Sequence, residues 1–503
     1  MMVSNVLPTF KCSPNRPWRS YAPIGVLRQH RWLQVLLTGS ILLFTLFTMF
    51  RVGQTRVTLA SPQLQPQCPI PSPITSDSDE PPKWDRLQKW EDDLPQHNLD
   101  LPLPEGRHGR YVLFKNQIQQ LGWNNQLNEV WVYFKLFLIC WWWRWWWSLM
   151  NTWLAYKSDR AYVFQDYIWK REYYPWQSFI DRTWPSIPHT PANALIAGPS
   201  VGGPWGHGDK APRSVSEKWF DVVCPKEERR IINSEDVKPA IRWENGDVIF
   251  NHWQRLLKDA PERCIEVQAA SRDIDNFPQT FDLFLWGTDR ILPLWEDFKK
   301  SPVSQLLATS PVVESAISSN RYLFQHRGPQ TSLSPEVPRS VYDRMLAIHL
   351  RRGDYQEACL GLANWNSTFY SWNLHPSLPD KFINPPGYTW GNNTPENVEF
   401  YLKRCYPTDE AILEKIERSR SDYIQAAKPG ETRFLDTLYI LTNDKTGWVN
   451  TMIPYLRSHG WHTVVTTDDL EVDQKQKEVG MAIDMEYARL AAVFIGNGVR
   501  SFF

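Results

Sequence analysis

Between Met345 and Tyr355 the chain reads Met-Leu-Ala-Ile-His-Leu-Arg-Arg-Gly-Asp-Tyr, an apolar run ending in His349, Arg351, Arg352 and Asp354. The run RMLAIHL (344–350) has the composition of a buried strand. Two guanidiniums, a glycine and a carboxylate therefore fall at its carboxyl end, where ligands bind in open α/β sheets. Arginine matches phosphate with bidentate hydrogen bonds and stabilises the negative charge that grows on a departing diphosphate. The plainer alternative is an Arg–Asp pair on a surface turn. Two other stretches fail on inspection. GPSVGGPWGHGDK (198–210) imitates a phosphate loop, but Asp209 follows Gly208 and breaks the Gly-Lys-Ser/Thr pattern. Thr467-Asp468-Asp469 is accounted for by the start of a loop.

The elements that must hold these residues alternate between strand and helix. Strands are expected at RYVLFK (110–115), AYVFQDY (161–167), RMLAIHL (344–350), LYILTN (438–443) and HTVVTT (462–467), and helices at 396–426, 447–459 and MAIDMEYARLAAVF (481–494). Alternation of this kind predicts parallel sheets wound on both faces. Two blocks, 107–335 and 340–503, give two Rossmann-like domains facing a cleft. The Pro- and Gly-rich region 183–216 reads as a long surface loop lining that cleft.

The chain has 503 residues, enough for two domains and appendages, and zero formal net charge, so no global field favours nucleic acid. Trp32–Phe50 is an uncharged apolar stretch of membrane-spanning length. Lys11, Arg16, Arg19, Arg28 and Arg31 precede it, and no acidic residue occurs before Asp77. The positive-inside rule then predicts a cytosolic tail (1–31), a single type II anchor (32–50) and a luminal remainder. A cleaved signal peptide fits less well, because the run is long and no cleavage site follows. Residues 51–106, rich in Pro, Ser, Gln and acidic residues, read as a stem.

Cysteine usage agrees with an oxidising compartment. Among the seven cysteines, Cys224, Cys264, Cys359 and Cys405 form an even set, and no Cys-x-x-Cys or Cys/His cluster points to zinc. Three pairings are open; the local one joins 224 with 264 and 359 with 405. Asn366-Ser-Thr and Asn392-Asn-Thr are glycan acceptor sequences.

The stretch His349-Leu-Arg351-Arg352-Gly-Asp354 resembles the HxRRxD motif of GDP-fucose-dependent fucosyltransferases, above all the protein O-fucosyltransferase-like family. Two further stretches agree with it. Arg110-Tyr-Val-Leu-Phe…Gly122-Trp-Asn124-Asn125-Gln126 is similar to the family's donor loop. Ile483-Asp484-Met-Glu486…Phe494-Ile-Gly496-Asn497-Gly498-Val-Arg500-Ser501-Phe502 looks like the C-terminal stretch that closes on the nucleotide. The resemblance covers about 107–503 and implies a GT-B-like fold, inversion at the sugar, GDP-fucose as donor and no cofactor or metal. It assigns Arg351 to the diphosphate and its departure, and His349 and Arg352 to the donor pocket. Asp354 would orient the guanidiniums, and Gly122 with Asn124 or Asn125 would line the donor or acceptor side. Asp484 would meet the base or ribose, and Ser501 a phosphate. The sequence departs from the pattern in three places: Arg500 replaces a small hydroxyl residue, the family pattern continues beyond Phe503, and Leu121 stands where a base is expected. Glu129 or Asp166 is the nearest substitute for that base, with activation through water as the other route.

The stretch WVYFKLFLICWWWRWWWSLM (131–150) interrupts this picture, with six tryptophans in the seven positions 141–147. It reads as a second membrane span, a luminal aromatic patch, or sequence foreign to the mature protein. The one-codon nature of Trp makes such a run the translation of a simple nucleotide repeat. With 131–148 removed, Leu127, Val130, Leu149, Trp153 and Tyr156 fall on one helical stripe, which favours the third reading. Together these features predict a Golgi or ER membrane glycosyltransferase acting on a protein or glycan hydroxyl. The rivals are a catalytically impaired relative and a membrane-associated scaffold that uses the Trp-rich tract.

Overall fold

The apolar runs assemble into two parallel sheets in a computed structural model of the chain. It describes residues 80–115, 149–182, 187–271, 280–281, 285, 288–325, 340–352, 355–364, 375–376, 383 and 394–496. Met1–Ser76 forms a separate unit outside the described residues, and Asp77–Phe503 contains all of them. The expected anchor and the tryptophan tract therefore lie outside what is described. Among the described residues no helix is long and apolar enough to cross a membrane.

The N-terminal lobe contributes β1 (Tyr111–Phe114), β2 (Ala161–Phe164), β3 (Tyr167–Ile168), β4 (His189–Thr190), β5 (Ile196–Ala197), β6 (Val215–Ser216), β7 (Arg230–Asn233), β8 (Cys264–Gln268) and β9 (Ala308–Thr309). Among the described residues, five of these form a parallel sheet in the order β6-β2-β1-β8-β7. The C-terminal lobe contributes β10 (Met345–Leu350), β11 (Thr437–Thr442), β12 (Thr463–Thr466) and β13 (Val493–Ile495), parallel in the order β12-β11-β10-β13.

The strands β1, β2, β8, β10 and β11 are buried on both faces, as the inner strands of parallel sheets must be. Along β10, Met345 and Ala347 enter an apolar cluster that also holds Val112 and Phe114 of the other lobe. Leu346, Ile348 and Leu350 enter a second cluster with Ile412, Ile416, Val449 and Trp461. The period of two thus divides β10 between a face shared with the N-terminal lobe and a face covered by its own helices.

Four expectations are corrected. Residues 84–106, assigned to the stem on composition, pack into the folded unit: Trp84 and Leu94 are buried, and Gln96 Nε2 donates to the carbonyls of Gly202 (2.9 Å) and Ser214 (2.7 Å). The surrounding charges masked these few anchors. The described part of 183–216 is no surface loop either, since Thr190, Ala194, Val201 and Ser214 are buried. Its glycines permit this: Gly198 has φ +111°, and a Cβ there would run into the Leu306 carbonyl. The helix expected over 396–426 is two, Pro395–Cys405 and Asp409–Gln425. Pro407 cannot continue the first, and Thr408 Oγ1 accepts from the Ala411 N–H to cap the second. The last helix stops at Leu490, and Val493–Ile495 instead joins the open edge of β10.

The Leu149–Lys157 helix is buried on nearly every side rather than along one stripe: Met150, Asn151, Thr152, Leu154 and Ala155 are as enclosed as Leu149 and Trp153. A pattern count on one face could not register this, because both the sheet and the Gly246–Asp259 helix cover it.

Candidate functional site

β10 is a central strand, and its carboxyl end delivers His349, Arg351 and Arg352 beside the carboxyl ends of β11 and β13. Alternation sends His349, like Met345 and Ala347, to the face shared with the N-terminal lobe. Continued one step it assigns Arg351 to the same face and Arg352 to the opposite one. The contacts bear this out for Arg352. Its guanidinium carbon lies 4.2 Å from the centre of the Trp448 ring and 4.5 Å from that of Tyr406. Its Nη2 donates to Asp409 Oδ1 at 3.1 Å, and its backbone N–H donates to Asn443 Oδ1 at 3.1 Å. Trp448 Nε1 donates to the same Asp409 oxygen at 2.9 Å, so carboxylate, indole and guanidinium hold one another.

Arg351 stands differently. Its guanidinium carbon lies 4.6 Å over the ring of Tyr355, the first residue of the helix Tyr355–Asn364. That helix follows directly on the di-arginine turn, so its amino-terminal N–H groups face the same region, an arrangement suited to an anion. Cys359 bonds Cys405 and ties this helix to Pro395–Cys405, whose next residue is Tyr406, the ring under Arg352. Cys224 bonds Cys264 in the other lobe, linking the Glu217–Val223 helix to β8.

Asp484 lies on the Gly480–Leu490 helix. Its carboxylate accepts from Tyr439 Oη at 2.6 Å and from Thr467 Oγ1 at 3.1 Å. Burial lifts its pKa to about 6, against the lowering by those two hydroxyls. In this structure Asp484 joins β11 to the helix that precedes β13. Gly122, Asn124, Asn125, Glu129, Asp354, Ser501, Asn366 and Asn392 lie outside the described residues.

The carboxyl edge of the N-terminal sheet has another character. Lys115, just past β1, pairs with Glu266 at 3.0 Å, and Arg229 reaches Glu266 at 3.2 Å. Asp166, past β2, receives His189 Nδ1 at 2.7 Å. Around it burial raises the pKa of two carboxyls. Burial, with the charges of Asp166 and Asp92, pushes Glu91 up to about 8, and burial raises Glu217. His97, beside them, is lowered to about 4 by burial. Among the described residues no group of three or more His, Cys, Asp or Glu side chains is arranged to hold a metal ion.

Sequence reasoning missed Asp409, Trp448, Tyr406, Asn443 and His189. The first four come from two separated stretches, 406–409 and 443–448, and share no motif; only packing over one face of β10 unites them. His189 is paired with Asp166 by the β3–β4 turnback, in a region read as loop. Two cavities, about 480 Å³ lined in part by Asp289, Trp295 and His375 and about 740 Å³ lined in part by Tyr156, Asp209 and Lys258, include no residue of the di-arginine turn. The site is defined by its side chains and its place at the sheet edge.

No protein-family model matches the sequence, and no curated protein matches it. Among solved structures, the chain is similar to a crystal structure of POFUT1 in complex with GDP, at 14% sequence identity and a TM-score of 0.37, over 78% of this chain and 93% of that chain. It is also similar to POFUT1 in complex with GDP-fucose, at 13% identity and a TM-score of 0.34, over 71% of this chain and 86% of that one.

Proposed function

We propose that the chain is a fucosyltransferase-like glycosyltransferase, moving fucose from GDP-fucose to a protein or glycan hydroxyl with inversion and without a metal. The observation that carries this reading is the placement of the His349–Arg352 motif at the carboxyl end of a central parallel strand. There Arg352 is clamped by Asp409, Trp448 and Tyr406, while Arg351 stands at the start of the following helix.

The division of labour follows from those contacts. Arg352 fixes the turn, and its positive charge is balanced by Asp409. Arg351 contacts the diphosphate and stabilises the charge that grows as the sugar–oxygen bond breaks. The Tyr355–Asn364 helix adds N–H donors to the same anion. His349 supports the donor pocket from the face shared with the N-terminal lobe. Asp484 meets the donor base or ribose, and Gly122 with Asn124 or Asn125 borders the sugar. The enzyme is anchored in a Golgi or ER membrane by Trp32–Phe50, with its catalytic part luminal and Asn366 and Asn392 glycosylated.

The decisive experiment incubates the full chain with GDP-fucose and follows GDP release alongside GDP binding by calorimetry. Binding and release are expected for the native chain, with both lost in Arg351→Ala. Release that is unchanged in Arg351→Ala, or absent from the native chain, removes this reading.

A further inference from the structure

The carboxyl edge of the N-terminal sheet holds titratable groups for which donor binding has no use. After β2 the chain passes through Gln165 and Asp166 into β3, which pairs antiparallel with β4 in the register Tyr167 to Thr190 and Ile168 to His189. The turnback brings His189 Nδ1 to 2.7 Å from Asp166 Oδ2. With Nδ1–H donating to the carboxylate, the second ring nitrogen Nε2 is left as the proton acceptor of a neutral imidazole. The His189 side chain is 55% exposed and that of Asp166 35%, so this pair is open to a solute rather than sealed in the core.

Its position matters as much as its geometry. Thr190, the next residue, donates to Glu478, which is 1% exposed and belongs to the short helix Gln474–Glu478 of the C-terminal lobe. That helix lies in the connection leaving the carboxyl end of β12. β12 and β10 are two strands apart in one sheet, about 10 Å at the usual strand spacing. The Asp–His pair therefore sits where the carboxyl-edge connections of the two sheets meet, on the side of the molecule where β10 ends in Arg351.

We propose that His189, oriented by Asp166, is the general base of the transfer reaction, an assignment that rests on the fucosyl-transfer reading above. The acceptor O–H bond yields its proton to His189 Nε2. The electron pair left on oxygen forms the new bond to the anomeric carbon of the sugar. The bond from that carbon to the diphosphate oxygen breaks, and its electron pair departs on the diphosphate beside Arg351. Asp166 holds the productive tautomer through its bond to Nδ1 and stabilises the imidazolium that results.

The groups facing His189 set its titration. The hydrogen bond to Asp166 raises its pKa most, burial opposes that, and the charges of Asp166 and Glu478 add to the rise. The Asp166 charge in turn helps to raise Glu91 of the Asp85–Asp92 helix. A base must be neutral to work, so the rate climbs with pH through a value above that of an ordinary histidine. Removing the Asp166 charge moves that limb to lower pH.

The test uses the full chain and GDP-fucose with water as acceptor, following GDP release against pH and GDP binding by calorimetry. His189→Gln is expected to lose about a hundredfold or more in release rate with GDP affinity unchanged, the usual share of a general base. Asp166→Asn is expected to retain part of the rate with its limb displaced to lower pH, a displacement that a merely structural role would not produce. Release within twofold of the native rate in His189→Gln, with an unmoved pH profile, overturns the assignment. In that case loss of GDP binding in Arg351→Ala keeps the donor reading intact. Absence of GDP binding in the native chain removes both.

Discussion

The carboxyl edges of the two parallel sheets occupy equivalent positions in their lobes and are built for opposite charges. At the end of β10 two guanidiniums lie over aromatic rings, and one carboxylate, Asp409, holds one of them. At the end of β1 Lys115 pairs with Glu266, which Arg229, just before β7, also holds. Around Asp166, Glu91 and Glu217 are pushed toward the protonated form, and His189 is raised. One edge suits an anion that gains charge, the other a proton that must be taken away. The lesson is that equal topology leaves the chemistry open, and that partners arriving from distant segments decide it.

The contrast can be broken first at the two arginines. Arg351→Ala should cost about a hundred- to a thousandfold in GDP release, the usual loss when a donor to a developing anion is removed, with little change in Tm. Arg352→Ala should instead lower Tm by several degrees. It removes two cation–π contacts, each worth about 0.5–2 kcal/mol, and leaves Asp409 without its guanidinium. Equal loss of activity and of stability in both variants would erase the distinction drawn between them.

The disulfides come next. Cys359 and Cys405 are 46 residues apart in sequence, Cys224 and Cys264 40 apart, so chain entropy treats the two alike, at about 2–5 kcal/mol each. Only the first ties the helix that begins beside Arg351. Paired Ser substitutions at 359 and 405 should therefore weaken GDP binding as well as lower Tm. The same change at 224 and 264 should lower Tm alone, as read by calorimetry and thermal melts.

The smallest effect is in pH. Glu478 is raised to about 7 by burial, against 4.5 in an unfolded chain. Between those values the folded state holds a proton that the unfolded state has lost. The contribution is therefore full below about 4.5 and declines as pH rises through about 7. Glu91 extends the decline to about 8, while Asp484 adds a part that ends near 6. Glu478→Gln should flatten the fall of Tm between pH 5 and 7 by a few degrees, and Arg352→Lys should leave that slope unchanged. An unaltered slope in Glu478→Gln would show that the inter-lobe carboxyl titrates as if exposed.

Much of this was legible beforehand. Strands at 110–115, 344–350, 438–443 and 462–467 stand within a residue or two of their expected ends, because runs buried on both faces carry an unbroken apolar signal. His349, Arg351 and Arg352 were visible because they adjoin one such run. Trp84 and Leu94 were not, since two anchors in a charged, proline-rich stretch leave its average polar. Residues 187–216 were misread because Gly and Pro report only local backbone freedom. Whether such a segment is exposed depends on what lies above it, here Leu306 above Gly198.

What the sequence determined by itself is therefore local: which runs are apolar enough to become buried strands, and which charged residues stand at their ends. Tertiary structure alone decided that two adjacent arginines differ, because alternation sends them to opposite faces and only one face brings Asp409, Trp448 and Tyr406. It also decided that His189 meets Asp166 across a hairpin, and that Glu478 of one lobe is buried against Thr190 of the other. Such pairings join residues far apart in sequence, whose meeting is set by packing rather than by spacing.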